Sequence, residues 1–250
     1  MDAGQSNAVQ KTIVVTGASR GIGHATALRF HENGWRVITV SREPPPGECP
    51  WSVARSHILL DLSDLDNIAR CVETMRGMLD DGALHALVNN AGASPKGPGG
   101  SRLNSLETDI ATWQAMYNTN FYAPLLLTRG FAPELSKARG AVVNLTSIAG
   151  SRVHPFAGSA YATSKAALAA LTRELAFDLA PAGVRVNAIA PGEIDTAILS
   201  PGTPQIVERD IPMHRLGSTA EVADLIWFLC SPQAAYITGA EIPINGGQHV

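Results

Sequence analysis

A glycine-rich turn between a strand-like and a helix-like segment places the strongest constraint on the fold of this chain. Residues 11–16 are rich in β-branched side chains, and an amphipathic run begins at His24. Between them the glycines follow the pattern Gly17-x3-Gly21-x-Gly23. Backbone N–H groups in such a turn can bind a phosphate at the helix N-terminus, because no Cβ blocks its approach. The pattern alone is also compatible with a tight turn that binds no ligand.

Further apolar runs recur along the chain and alternate with helical stretches. Continuous apolar strands separated by helices are typical of a parallel sheet covered on both faces. We therefore predict one domain over residues 11–250, preceded by a flexible tail over residues 1–10. Its fold class is α/β, with a doubly wound, Rossmann-like parallel sheet of seven strands and helices on both faces. The strands are predicted at 12–16, 36–41, 56–60, 84–89, 140–146, 184–190 and 240–244, and the helices at 22–33, 64–79, 108–136, 158–180 and 219–230.

Three irregular loops, 43–47, 94–101 and 191–212, follow strands two, four and six. In an open parallel sheet the ligand binds at the carboxyl ends of the strands, so these loops are expected on the rim of the binding site.

Composition excludes several classes of partner. The formal net charge of −3 provides no basic surface for nucleic acid. No apolar run approaches the roughly 20 residues needed to span a bilayer, so no membrane partner is expected. The polar first ten residues contain no signal-peptide core, which favours a cytoplasmic protein. The three widely spaced cysteines form no metal-binding pattern, so no metal is predicted.

Tyr161 and Lys165 are four residues apart in a segment rich in helix formers, which places both side chains on one helix face. A phenol ordinarily has a pKa of about 10, and a fixed cation beside it favours the phenolate and lowers that pKa. Such a pair could serve in acid–base catalysis. Taken alone it is weak, because most pairs with this spacing are solvated helix surface.

Together these features resemble the short-chain dehydrogenase/reductase family in its single-domain form. The resemblance runs from Lys11 to Gly247 and rests on several motifs in the expected order. They are Thr16–Gly23, Asp61-Leu62, Asn89–Gly92, Asn120 seven residues after Trp113, Ser147, Tyr161-x3-Lys165, and Pro191-Gly192 followed by Thr196.

The resemblance implies four catalytic residues. Tyr161 would exchange a proton with the substrate oxygen, and Ser147 would hydrogen-bond that oxygen. Lys165 would lower the pKa of Tyr161 and bind the nicotinamide ribose, and Asn120 would hold a water that links Lys165 to solvent. Thr146 and Asn118 are the neighbouring alternatives to Ser147 and Asn120.

The resemblance also implies a dinucleotide site with separate groups for phosphates, adenosine, ribose and nicotinamide. Asn89 is expected to be more structural than chemical. The set comprises Gly17, Ser19, Arg20, Gly21, Ile22 and Gly23 for the phosphates, Ser41, Arg42, Asp61 and Leu62 for the adenosine, Asn89, Asn90, Ala91 and Gly92 along its ribose, Tyr161 and Lys165, and Pro191, Gly192, Ile194 and Thr196 around the nicotinamide.

The end of the second strand favours NADP(H) over NAD(H), with NAD(H) remaining possible. NAD-binding relatives place an acidic residue here to bind the ribose 2′-OH, whereas this chain has Ser41. Arg42 and Arg20 can flank a 2′-phosphate, to which guanidinium groups bind well. Glu43, one residue further on, opposes this assignment.

The substrate is expected to be a small carbonyl or alcohol. The predicted pocket wall comprises 94–95, 152–156, Glu193 and 197–214, with His154 a pocket or interface residue rather than a catalytic base. A ketone or 3-oxoacyl-thioester reductase is the first hypothesis, and a sugar or polyol dehydrogenase is the alternative. A dinucleotide-binding sensor without catalysis is a third. The resemblance also implies a homo-oligomer, either a tetramer or a dimer, whose subunits contact one another through the two long helices predicted at 108–136 and 158–180.

Overall fold

The computed structural model describes residues 10–47, 49–197, 199 and 202–250. The predicted flexible tail therefore lies outside the described residues except for Gln10, whose side-chain amide donates a hydrogen bond to the carbonyl oxygen of Gly34 at 2.9 Å.

Seven parallel strands form one sheet in the order β3-β2-β1-β4-β5-β6-β7, which confirms the predicted fold class. β1 pairs with β2 on one side and with β4 on the other, so Val14 lies beside both Ile38 and Leu87. The strand order reverses at this point, which opens a crevice at the carboxyl ends of β1 and β4. The strands are β1 Thr12–Thr16, β2 Arg36–Ser41, β3 His57–Leu59, β4 Ala86–Asn89, β5 Ala141–Leu145, β6 Arg185–Pro191 and β7 Glu241–Ile244.

The helices cover both faces of the sheet, as the apolar strands predict. Successive strand residues point to opposite faces, and the buried side chains accordingly form two clusters. Val14 belongs to the cluster that packs against α3, α5 and α7, whereas Ile13 belongs to the cluster beneath α1 and α9. The helices are α1 Gly21–Glu32, α2 Pro50–Val53, α3 Ile68–Arg76, α4 Ile110–Tyr117, α5 Ala123–Gly130, α6 Ala132–Ala138, α7 Ser159–Leu179, α8 Thr203–Asp210 and α9 Thr219–Cys230.

The prediction of a single helix over 108–136 is wrong, because the structure divides this segment into three helices. A π-helical turn at Asn118–Tyr122 separates α4 from α5, and α6 begins as a separate helix. Pro133, in the first turn of α6, has no N–H to continue the preceding helix. The π turn has a tertiary cause, described below.

The segment 191–212 was predicted to be irregular, but it contains α8. Pro204 lies in the first turn of α8, where a proline is tolerated. The four prolines of this segment therefore did not exclude a helix. Among the described residues, no helix is long and apolar enough to cross a membrane.

Candidate active site

A cavity of about 840 Å³ runs along the carboxyl ends of the strands. Its walls come from the glycine turn after β1, the ends of β2, β4 and β5, the segment after β6, and the first turns of α7. The topology explains this convergence, because every one of these loops leaves the same edge of a parallel sheet.

The glycine turn is held by a side chain from the end of β4. The Asn90 amide donates hydrogen bonds to the carbonyl oxygens of Thr16 at 2.9 Å and Gly17 at 3.0 Å. A Cβ on Gly23 would lie 2.3 Å from the Gly17 oxygen and 2.4 Å from Asn90 Nδ2. Gly17 itself has φ +67°, which favours glycine. Glycine is therefore required at residue 23 by close packing and at residue 17 by backbone conformation.

The N-terminus of α1 has the features of a phosphate site. Its N-cap residue, Arg20, makes no side-chain capping hydrogen bond, and no acidic residue occupies the first turn. The first N–H groups of α1 and the helix dipole therefore favour an anion in the cavity. Ser19 and Ile22 line the same part of the wall.

Polar groups at the end of β2 contact one another. The Ser41 hydroxyl donates to the carbonyl oxygen of Glu43 at 2.6 Å, and Arg20 Nη1 lies 3.3 Å from Glu43 Oε2. Arg42 is exposed beside them. Glu43 thus already engages one of the two arginines predicted to flank a 2′-phosphate.

The other predicted adenosine residues follow β3. Asp61 and Leu62 both line the cavity, Asp61 being exposed and Leu62 buried. Asp61 Oδ1 accepts a hydrogen bond from the Ser63 N–H at 2.9 Å, which holds the turn that presents both side chains.

The end of β4 divides structural from cavity-lining residues. Asn89 is buried in the sheet, where its amide donates to Asn144 Oδ1 at 2.8 Å. Ala91 and Gly92 line the cavity. A Cβ on Gly92 would lie 3.4 Å from both Asn120 Oδ1 and Lys165 Nζ, so the backbone passes directly beside these two groups.

Tyr161 and Ser147 meet on the cavity wall. α7 carries Tyr161 in its first turn, and Ser147 follows β5. The Ser147 hydroxyl hydrogen-bonds the Tyr161 side chain, and Ser147 Oγ also accepts from the Ala149 N–H at 3.2 Å. Thr146, the alternative, donates to the carbonyl oxygen of Ile189 at 2.9 Å and so links β5 to β6.

Lys165 lies one turn further along α7 and is only 4% exposed. Its Nζ is 5.9 Å from the centroid of the Tyr161 ring and donates a hydrogen bond to the carbonyl oxygen of Leu145. Burial lowers the pKa of Lys165 to about 8.

The pKa of Tyr161 is raised rather than lowered in this structure. Burial is the main cause, the hydrogen bond from Ser147 opposes it, and the negative charge of Glu193 adds to it. This differs from the expectation that the neighbouring ammonium would lower that pKa. Lys165 is not among the causes of the shift, and burial disfavours the phenolate.

The Asn120 amide explains the π turn. Asn120 is fully buried, its Oδ1 accepts from the Ala93 N–H at 2.9 Å, and its Nδ2 donates to the Ala93 oxygen at 3.1 Å and to Ser164 Oγ at 3.0 Å. Asn118 instead donates to the carbonyl oxygen of Ser63 at 3.0 Å. Asn120 therefore connects the end of β4 to α7 between Tyr161 and Lys165.

The segment after β6 crosses back towards the glycine turn. Gly192 follows Pro191 at the end of β6, and a Cβ on Gly192 would lie 2.6 Å from Asn245 Cβ. Ile194 is buried and forms an isolated parallel bridge with Gly217. The Thr196 methyl group lies 3.6 Å from the position of a Cβ on Gly21. The segment after β6 therefore approaches the glycine turn after β1 across the cavity.

Comparison with known proteins agrees with this geometry. The model of a family described as Enoyl-(Acyl carrier protein) reductase matches residues 17–249. Protein FixR of Bradyrhizobium diazoefficiens is 57% identical over 242 residues, 96% of this chain and 87% of that protein. 3-oxoacyl-[acyl-carrier-protein] reductase FabG of Aquifex aeolicus is 34% identical, over 95% of this chain and 96% of its own.

A solved structure is similarly close. An oxidoreductase of the short chain dehydrogenase/reductase family from Brucella ovis, in complex with a partially ordered NAD, is 56% identical with a TM-score of 0.82, over 94% of this chain and 100% of that one. The chain belongs to the short-chain dehydrogenase/reductase family. As a member it is an oxidoreductase that acts on CH–OH or carbonyl groups with NAD(P).

This dehydrogenase/reductase also has cavity residues that sequence reasoning missed. Lys96 and His24 were not singled out, although Lys96 lies in a loop predicted to border the site. His154 and Glu193 were placed in the pocket wall, but not as a pair. His154 Nε2 lies 2.7 Å from Glu193 Oε1, and only contact in three dimensions reveals this pairing across 39 residues of sequence.

Proposed function

We propose that this enzyme interconverts a ketone and a secondary alcohol by hydride transfer, with Tyr161 as the proton donor and acceptor. The observation that carries the proposal is the meeting of Tyr161, Ser147 and Lys165 in the cavity that also contains the glycine turn. The bound nicotinamide supplies or accepts the hydride. The fit of the dinucleotide rests on the uncapped N-terminus of α1 and on the glycines that allow close backbone approach.

In the reductive direction Tyr161 donates its hydroxyl proton to the oxygen of the substrate carbonyl. Ser147 hydrogen-bonds the same oxygen, where negative charge develops. The raised pKa of Tyr161 keeps the phenol protonated at neutral pH, which suits proton donation. Lys165, with a pKa of about 8, carries a proton at pH 7 in most molecules. Asn120 fixes the backbone beside Lys165.

Tyr161→Phe tests the acid–base role, because it removes the hydroxyl and keeps the ring. We expect kcat for ketone reduction to fall by at least about 100-fold, the usual range for loss of a general acid. The NADPH dissociation constant, measured by fluorescence titration, should change less than about threefold. Tyr236→Phe is the matched control, because Tyr236 is fully exposed. A Tyr161→Phe enzyme with the wild-type kcat would contradict the proposal.

For the cofactor we propose a preference for NADP(H). Neutral Ser41, with Arg42 and Arg20 nearby, supports a site for a 2′-phosphate. NAD(H) is the second candidate, supported by the contact between Glu43 and Arg20, since this carboxylate would oppose the phosphate.

The ratio of kcat/KM for NADPH over NADH tests the cofactor preference. We expect a ratio above one in the wild type, a higher one in Glu43→Gln and a lower one in Ser41→Asp. Wild-type efficiency with NADH equal to or above that with NADPH would refute the preference.

For the substrate, two classes have specific support. The relatives named 3-oxoacyl-[acyl-carrier-protein] reductase, at 33–34% identity, favour a 3-oxoacyl thioester. The His154–Glu193 pair in the cavity wall favours a sugar, polyol or other hydroxylated compound. The sensor hypothesis predicts NADPH binding without turnover on a panel of ketones and alcohols.

A further inference from the structure

Three loops contribute polar side chains to one part of the cavity wall. Lys96 follows β4, His154 follows β5 and Glu193 follows β6, and all three line the cavity that contains Tyr161. The proposed proton transfer gives none of them a role.

Hydrogen bonds fix the orientation of the His154 ring. The Phe156 N–H donates to His154 Nδ1 at 3.2 Å, so Nδ1 is an acceptor and carries no hydrogen. Nε2 therefore carries the ring hydrogen and donates it to Glu193 Oε1 at 2.7 Å. The two side chains are only 11% and 13% exposed. A neutral histidine thus holds a nearly buried carboxylate in one position.

Lys96 completes the cluster from the opposite loop. Its Nζ donates a hydrogen bond to the carbonyl oxygen of Phe156, two residues from His154. Burial lowers the pKa of Lys96, and the negative charge of Glu193 opposes that effect. The charge of Glu193 also raises the pKa of Tyr161. The carboxylate is therefore close enough to act electrostatically on both the lysine and the proton donor.

These charges restrict what can lie beside Tyr161. With His154 neutral, the cluster contains one carboxylate, on Glu193, and one ammonium, on Lys96, so it has no net charge for a charged substrate group to neutralise. An alkyl chain would displace water from both ions without replacing its hydrogen bonds, which is unfavourable. A hydroxyl group can donate to a carboxylate oxygen and accept from an ammonium.

We propose that Lys96, His154 and Glu193 form a specificity subsite for a substrate hydroxyl group. The substrate is then a small hydroxylated ketone, or the corresponding diol or polyol, rather than an unsubstituted acyl chain. His154 is a positioning residue that acts through Glu193. This inference rests on the proposed function, since it concerns which ketone reaches Tyr161.

Two ketones of similar shape test the subsite. Hydroxyacetone carries a hydroxymethyl group where butan-2-one carries an ethyl group. We expect the wild-type kcat/KM with NADPH to be at least about 30-fold higher for hydroxyacetone, because hydrogen bonds to charged groups discriminate strongly against an analogue that lacks the hydroxyl. Glu193→Gln should reduce this ratio at least about fivefold. His154→Ala should reduce it too, whereas His154→Gln, which retains a donor, should preserve more of it.

Glu32→Gln is the matched control, because it removes an exposed carboxylate at the end of α1, outside the cavity. Its ratio should equal that of the wild type. The subsite would be overturned by equal wild-type efficiency on the two ketones or by an unchanged ratio in Glu193→Gln. A preference for aminoacetone, which carries an amine, or for an acetoacetyl thioester, which carries an acyl chain, would overturn it too. All of these results would leave the Tyr161 chemistry intact. NADPH binding with no reduction of any of these ketones would overturn the proposed function as well.

Discussion

Replacing Lys165 by methionine should stabilise the protein while impairing catalysis. Lys165 is almost completely buried, and its pKa falls from 10.5 to about 8 because burial disfavours the ammonium. At about 1.36 kcal/mol per pH unit, this shift corresponds to about 3 kcal/mol of lost stability when the lysine is charged. Methionine has a similar length, carries no charge and retains the apolar contacts.

The pH dependence of this cost has a definite sign. Below pH 8 the lysine is protonated in both the folded and the unfolded chain, so the full cost is present. Between pH 8 and 10.5 the unfolded chain binds more protons, and stability therefore rises with pH. Above 10.5 the cost disappears. Losing the hydrogen bond to the Leu145 oxygen offsets about 1 kcal/mol of the gain at all these pH values.

Urea denaturation followed by tryptophan fluorescence measures the effect. We expect Lys165→Met to exceed the wild type in free energy of unfolding by about 2 kcal/mol at pH 7, and this advantage to disappear by pH 10. Lys137→Met, at an exposed lysine, should follow the wild-type pH profile. Parallel pH profiles for Lys165→Met and the wild type would refute the reasoning.

Two further substitutions test the glycine turn and the assembly. Gly23→Ala places a methyl group 2.3 Å from the Gly17 oxygen, so we expect at least tenfold weaker NADPH binding by fluorescence titration and about 1–3 kcal/mol lower stability; unchanged affinity would show that the turn does not hold the cofactor. Phe177 is 82% exposed on α7, one of the helices expected to form an oligomer. Phe177→Ser should therefore lower the mass measured by light scattering, unlike Val53→Ser on α2, and an unchanged mass would exclude this face.

The strands and the glycine turn could be predicted because their signals are local. Apolar and β-branched runs are typical of strands in a covered parallel sheet, and every predicted strand overlaps an observed one. The structure explains why glycine occupies two positions of the turn. Gly17 has a positive φ, and a Cβ on Gly23 would clash with the carbonyl oxygen of Gly17.

The π turn and the titration of Tyr161 could not be predicted, because both depend on contacts distant in sequence. Asn120 interrupts the α4–α5 segment while bonded to Ala93, which precedes it by 27 residues. The spacing of Tyr161 and Lys165 suggests a lowered phenol pKa, but spacing does not give burial, and burial reverses the sign.

The polar cluster beside Tyr161 could not be predicted from the sequence either. His154 and Glu193 are recognisable in the sequence as chargeable groups on loops near the site. Their pairing, the histidine tautomer and the nearby Lys96 follow only from the convergence of three loops at one edge of the sheet.

The most direct measurement is a crystal structure of the wild-type enzyme with NADPH bound. We predict that the phosphates lie at the N-terminus of α1, the adenosine lies beside Ser41, and C4 of the nicotinamide faces the hydroxyl groups of Tyr161 and Ser147. A dinucleotide bound outside this crevice, or one whose nicotinamide points away from Tyr161, would contradict the proposed hydride transfer.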